Sequence, residues 1–271
     1  ESIAAAIERF SDVANNELRL PQMEELQNEG DIWFNYDFHS SFSRSNADEA
    51  LTVMRNAIKR GAEALAKAEV VIITFGTAFA YRLCESGQIV ANCHKQPQAK
   101  FSREMLTTAT IVERYRSLLQ GSLSGKQVIF TLSPVRHLGD GLEQNSLSKA
   151  TLRVALAEIV AQADNAYYFP SFEIMMDELR DYRFYGDDMA HPTTMAVDYI
   201  WERFGHTAFS DNTLKLITNI ERIVAATEHR PFNAKSDAHR RFCQNMLHRI
   251  EELNATGICF DKEKEYFRSY L

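Results

Sequence analysis

The chain has 271 residues, with 30 Lys and Arg against 37 Asp and Glu, and so carries a formal net charge of −7. Hydrophobic residues make up 45% and charged residues 25%, a balance that supports a sizeable core and excludes global disorder. The acidic balance argues against a nucleic-acid surface, no apolar run reaches the roughly 20 residues of a transmembrane helix, and four cysteines without a CxxC pair argue against a disulfide scaffold.

Residues 1–16 set Ile3, Ile7, Phe10 and Ala14 at helical spacing, so the chain opens on an amphipathic helix. A start at Glu1, without Met and already inside a helical pattern, reads as an incomplete amino terminus. After the polar stretch LPQMEELQNEG, residues 30–43 alternate aromatic and polar side chains, which predicts an extended segment or irregular hairpin. A helix then runs from an Asn46 N-cap to about Ala68, with Leu51, Met54, Ile58, Ala62 and Leu65 facing inward.

The β-branched run from Val70 to Phe75 predicts a strand buried on both faces, ended by Gly76. Residues 88–92 predict a short strand, Ser102 to Leu119 a helix, and Val128 to Leu132 a second apolar strand stopped by Ser133-Pro134. A helix over 146–163, a third strand over 166–170 and a helix over 172–180 follow. Beyond an irregular stretch through Pro192 lies a helix over 193–204, in which Trp201 and Phe204 read as core. Segments near 211–228, 236–253 and 261–269 are all helical, which sets a domain of residues 1–208 apart from a helical extension, 209–271.

The βα alternation predicts an α/β fold with a parallel sheet between helices. Three strands are few for such a sheet, so residues 30–43 or a segment upstream must supply more.

In an open parallel sheet, ligands gather beyond the carboxyl ends of the strands. Those ends carry Gly76-Thr77-Ala78, Ser133-Pro134-Val135-Arg136-His137 and Phe169-Pro170-Ser171, with Asp187-Asp188-Met189-Ala190-His191-Pro192 shortly after. An Asp three residues before a His can bond the imidazole Nδ1–H and leave Nε2 free as a base, which makes Asp188 and His191 the most suggestive pair. The competing reading has Asp188 capping the helix near Pro192 and His191 packing.

Gly76-Thr77 could expose a backbone N–H to a ligand, or Gly76 could merely permit a sharp exit from the strand. Asn92-Cys93-His94-Lys95 gathers polar groups, but adjacent side chains rarely meet in nucleophile–base geometry. Arg136, His137, Arg180 and Arg183 supply cations that could hold a carboxylate or brace loops. A metal held by His39, His94, His137, His191 and Asp188 is conceivable, but no ligand spacing such as HExxH supports it; neither metal nor cofactor is expected.

Through Thr74-Phe75-Gly76-Thr77-Ala78, Asn92-Cys93-His94-Lys95, Ser133-Pro134-Val135-Arg136-His137, Ser148-Lys149-Ala150 and Asp181-Tyr182-Arg183-Phe184-Tyr185 with Asp188-Met189-Ala190-His191-Pro192, the chain resembles the bacterial GSCFA family. The resemblance runs from about residue 1 to Phe204. That family is similar in turn to the SGNH (GDSL-like) hydrolases, flavodoxin-like three-layer α/β/α sandwiches that cleave esters with a Ser–His–Asp arrangement.

The resemblance implies that Asp188 and His191 are catalytic and that Gly76 lends an oxyanion N–H. Thr77, Asn92, His94, Arg136, His137 and Arg183 are then candidates for oxyanion or substrate binding. The Asn that completes the hole in the wider group is replaced here by Ala78, and Asn92 could substitute for it spatially. The Gly-Ser-Cys-Phe-Ala segment for which the family is named does not occur, so the nucleophilic serine and the first strand are expected upstream of residue 1. Without that strand two sheet edges would be unpaired and part of the core bare.

The implied function is a serine esterase or deacetylase acting on a small-molecule or saccharide ester, without cofactor, nucleic-acid or membrane partner. An acyltransferase differs only in its acceptor, and the alternative is a non-catalytic ligand-binding module. Reduced cysteines point to the cytoplasm. Oligomeric state is not legible in the sequence.

Overall fold

In the computed structural model, which describes residues 1–15, 19–229, 231–253 and 256–271, the chain divides into two units, Glu1–Ile200 and Trp201–Leu271. The first unit opens with α1 (Ser2–Asn15) and a hairpin of β1 (Gln27–Glu29) and β2 (Ile32–Phe34). Next comes α2 (Ala47–Lys67), whose N-cap Asn46 accepts the backbone amide of Glu49. After β3 (Val70–Phe75) the chain builds a small antiparallel sheet from β4 (Phe79–Leu83), β5 (Ile89–Val90) and β6 (Phe101–Met105), in the order β5-β4-β6.

The βα rhythm resumes with α3 (Thr108–Gln120), β7 (Gln127–Leu132), α4 (Leu142–Ala161) and β8 (Ala166–Phe169). A short α5 (Ser171–Glu173) runs into a π-helical turn, Ile174–Glu178. The division between the units falls within α6 (Thr194–Ala208). The second unit holds α7 (Asp211–Glu228), α8 (Asp237–Leu253) and α9 (Asp261–Arg268), around a core that includes Ile223, Cys243, Ile250, Phe260 and Phe267.

The central sheet is parallel, in the order β3-β7-β8. Its register pairs Ile73 with Phe130 and Phe75 with Leu132, so one face presents a continuous apolar layer. Ala4 and Ile7 of α1, Ile111 and Tyr115 of α3, and Leu152 and Leu156 of α4 pack into the same core cluster. At its centre the rings of Phe75, Tyr115 and Phe130 meet with centroids 4.7–5.8 Å apart. Each side chain buried there contributes about 1.5–3 kcal/mol. The result is an α/β fold with a central parallel sheet flanked by helices and further helices after it, consistent with a three-layer α/β/α architecture.

Four local expectations need correction. β3 is not buried on both faces: Ile73 is 3% exposed but its neighbour Ile72 is 55% exposed. The core cluster takes only the odd-numbered side of the strand, and Val70 and Ile72 point the other way.

Residues 102–105 belong to β6 rather than to a helix, because β4 offers them a backbone partner. The helix begins only after Thr107, whose side chain accepts the amide of Thr110. The hairpin placed at 30–43 lies earlier, at 27–34, and residues 40–42 form a 3-10 turn. Trp201 is half exposed instead of core; it stacks on Phe204, which is buried.

Candidate active site

The loop between α5 and α6 is closed by its own backbone. The amide of Gly186 donates to the carbonyl of His191 at 2.8 Å, and Tyr185 bridges Pro192. Met189 sits in the left-handed region at φ 56°, a conformation that costs an L residue about 1–2 kcal/mol. The turn directs the Asp188 carboxylate at three donors. Its Oδ1 accepts the amides of Ala190 at 2.9 Å and His191 at 3.0 Å, and its Oδ2 meets His191 Nδ1 at 2.6 Å.

The backbone amides of His191 and Ala190, then the imidazole, hold the Asp188 carboxyl well below its ordinary value, at about 2. An ionised carboxylate on Nδ1 selects the tautomer that carries the proton there and leaves a lone pair on Nε2. Among the described residues Nε2 has no hydrogen-bond partner, and the side chain is exposed. Asp188 does not cap the next helix. α6 begins at Thr194, and Thr193 Oγ1 accepts the amide of Ala196 there.

The strand ends meet this loop through residues 136 and 137. The amide of Arg136 donates to the carbonyl of Ala190 at 3.1 Å. His137 is anchored by its own amide on Asn145 Oδ1 at 2.9 Å, and its ring lies over Gly76: a Cβ there would be 3.7 Å from His137 Nε2. Burial, then the Lys149 ammonium, push the His137 pKa below its ordinary value, against the opposing pull of the Asp140 carboxylate. Gly76 does not occupy the left-handed region, so backbone freedom is not what a glycine supplies at this position.

Two residues outside the candidate set complete the strand ends. Ser148 Oγ accepts the amide of Ala78 at 2.7 Å and lies 3.1 Å from Thr77 Oγ1. Lys149 is 3% exposed, and its Nζ donates to the carbonyls of Gly76 at 2.6 Å and Ser133 at 2.8 Å. The signal was present: Lys149 stands three residues before Leu152 and seven before Leu156, on the inward stripe of α4.

The remaining candidates are held by other partners. Asn92 Oδ1 accepts the amide of His94, whose Nε2 lies 2.9 Å from the carbonyl of Asn35 and whose ring stacks on Phe34 at 4.5 Å. Burial lowers the His94 pKa. The Arg183 guanidinium lies 4.8 Å over the Phe184 ring. The Arg136 guanidinium lies 3.9 Å over the Tyr185 ring and borders a cavity of about 200 Å³ shared with Met176, Leu179, Arg180 and Tyr182. A larger cavity of about 680 Å³, beside Tyr36 and Lys100, takes in neither Asp188 nor His191. Among the described residues no three His, Cys, Asp or Glu side chains converge as metal ligands.

A family model described as the GSCFA family matches residues 2–204, and one described as GSCFA domain protein, C-terminal domain, matches residues 220–271. No curated protein and no solved structure matches the chain.

Proposed function

The chain belongs to the GSCFA family, and from that premise we propose that it carries the base half of a serine-hydrolase site of SGNH type, working as an esterase or deacetylase on an acylated substrate. The observation that carries this reading is the 2.6 Å contact of Asp188 Oδ2 with His191 Nδ1, with Nε2 left unpartnered among the described residues.

His191 Nε2 takes the proton of a serine hydroxyl as its oxygen attacks the ester carbonyl carbon. The ester's carbonyl oxygen becomes an oxyanion, which backbone donors at the end of β3 stabilise. The leaving alkoxide then departs with the proton from Nε2. Water then attacks the carbonyl carbon of the acyl-serine while Nε2 takes one of its protons; the acyl–Oγ bond breaks, the serine oxygen recovers that proton from Nε2, and the carboxylic acid leaves. Asp188 stays ionised throughout and steadies the imidazolium.

Among the described residues no serine hydroxyl is bonded to His191 Nε2, so the residue that a covalent probe labels identifies the nucleophile. Arg136 on Tyr185 lines a pocket where a polar part of the substrate can dock, and saccharide esters fit that chemistry.

A fluorophosphonate probe on the native protein tests this reading. Labelling at one serine that disappears in His191→Ala is the expected result; labelling that ignores His191, or none at all, overturns it.

A second reading, a ligand-binding module without catalysis, draws on Ala78. This residue is fully buried and brings no side-chain donor to the position where an Asn would stand. Among the described residues no helix is long and apolar enough to cross a membrane. Cys84, Cys93, Cys243 and Cys259 are all free, which favours a reducing compartment, and we place the chain in the cytoplasm.

A further inference from the structure

A buried ammonium is tolerated only where acceptors take its protons, and Lys149 has found two at one place. Its Nζ lies 2.6 Å from the Gly76 carbonyl and 2.8 Å from that of Ser133. These residues follow directly on the last registered pair of the β3–β7 ladder, Phe75 with Leu132. The ammonium thus ties the two strands together where their own hydrogen bonding ends.

The grip on Gly76 has a consequence for the next residue. No peptide bond in the described chain is cis, so the Gly76 carbonyl and the Thr77 N–H share one plane and point in opposite directions. Anchoring the oxygen on Lys149 fixes the N–H away from the ammonium, and a positive charge on the oxygen polarises that N–H into a stronger donor.

The following amides are already used. Ala78 N–H goes to Ser148 Oγ at 2.7 Å and Phe79 N–H to Thr77 Oγ1 at 3.2 Å. Thr77 N–H has no partner among the described residues. It belongs to the peptide whose carbonyl Lys149 holds, next to Gly76, over which the His137 ring lies.

We propose that Lys149 is a positioning residue: through the Gly76 carbonyl it holds the Gly76–Thr77 peptide so that the Thr77 N–H donates to the oxyanion formed on the substrate. The inference rests on the hydrolase reading above and deepens it. Lys149 touches no substrate atom; it acts on a peptide that does. A clamp of purely structural purpose would affect melting and substrate binding, whereas a held donor acts on the chemical step.

Hydrolysis of p-nitrophenyl acetate by the native protein separates these cases, with wild type, His191→Ala, Lys149→Met and Lys149→Ala compared. The expected result is a kcat at least about tenfold lower in Lys149→Met, with KM within about twofold and a cooperative melt retained. Propylammonium, but not propanol, should restore part of the kcat of Lys149→Ala. If His191→Ala is inactive while Lys149→Met keeps its kcat, the positioning role is overturned and the hydrolase reading survives. If His191→Ala turns over ester as fast as wild type, the hydrolase reading falls and this inference with it. A measurement on wild type covers the case in which the Lys149 variants do not fold. The Thr77 amide proton should move downfield when a phosphonate is bound at the site, and an unmoved resonance overturns the proposal.

Discussion

The backbone amide of Arg136 donates to the carbonyl of Ala190 across 3.1 Å, so the residue preceding His191 is fastened to the loop that leaves β7. The guanidinium of the same arginine lies 3.9 Å over Tyr185 and reaches the carbonyl of Met189 at 3.3 Å. A loop that carries a non-glycine residue at positive φ needs such outside support to keep its shape. The aspartate–histidine pair is therefore held against a strand end rather than left on a free loop.

Asp188→Asn should separate geometry from charge. An asparagine oxygen can still accept the amides of Ala190 and His191, but a neutral amide facing Nδ1 no longer selects the required tautomer. Ester turnover by the native protein should fall by about 10⁴. The melting temperature at neutral pH should fall only modestly, because the carboxylate is exposed and its interactions are screened by solvent. Turnover near the wild-type rate would remove Asp188 from the site.

The Asp188 carboxyl should titrate near 2, followed by the NMR shift of its side-chain carbon. A folded-state pKa below the unfolded value of about 3.9 stabilises the native loop above pH 4. That contribution is lost as pH falls from about 4 towards 2. Any acid limb in activity between pH 3 and 6 should then come from another group and persist without a change in this resonance. A midpoint at or above 4 would contradict the three-donor geometry.

Gly76→Ala tests whether glycine is needed for the backbone or for the space above it. Its Cβ would stand 3.7 Å from His137 Nε2, an ordinary van der Waals distance, and the residue is not in the left-handed region. Urea denaturation should show a change within about 1 kcal/mol. A methyl placed beside the donor peptide should lower turnover more than stability. Loss of folding would show that the glycine is structural.

Ile72 and Ile73 are neighbours on opposite faces of β3, and their alanine variants should diverge. Ile73→Ala in the 271-residue chain should cost about 2–5 kcal/mol, since the side chain is 3% exposed within the core. Ile72→Ala, at 55% exposure, should cost under about 1 kcal/mol. Denaturant midpoints decide the matter, and equal losses would mean that the second face is covered in solution.

The strands at 70–75, 127–132 and 166–169 were legible because runs of β-branched and aromatic residues between helical patterns leave little choice of element. Asn46 was legible as a cap for a local reason: its hydrogen bond spans three residues. β4 and β6 were not, because Phe79–Leu83 and Phe101–Met105 carry no strong alternation and acquire strand geometry only from each other. The failure at 102–105 has the same origin, as helical spacing in a short polar run yields to a partner strand 22 residues earlier.

The sequence by itself determined the α/β rhythm and the family resemblance, and it offered the pairing of Asp188 with His191 beside a helix-capping alternative, since three residues in a turn are enough to bring one side chain to another. Only the tertiary structure decided that Lys149 ends between the Gly76 and Ser133 carbonyls, 73 and 16 residues away along the chain, and that Asn92 and His94 attach to the segment around Asn35 instead. Local hydrogen bonds are written in short spacings. Where a buried ammonium finds its acceptors depends on how helix and sheet pack, and that is settled by the whole core at once.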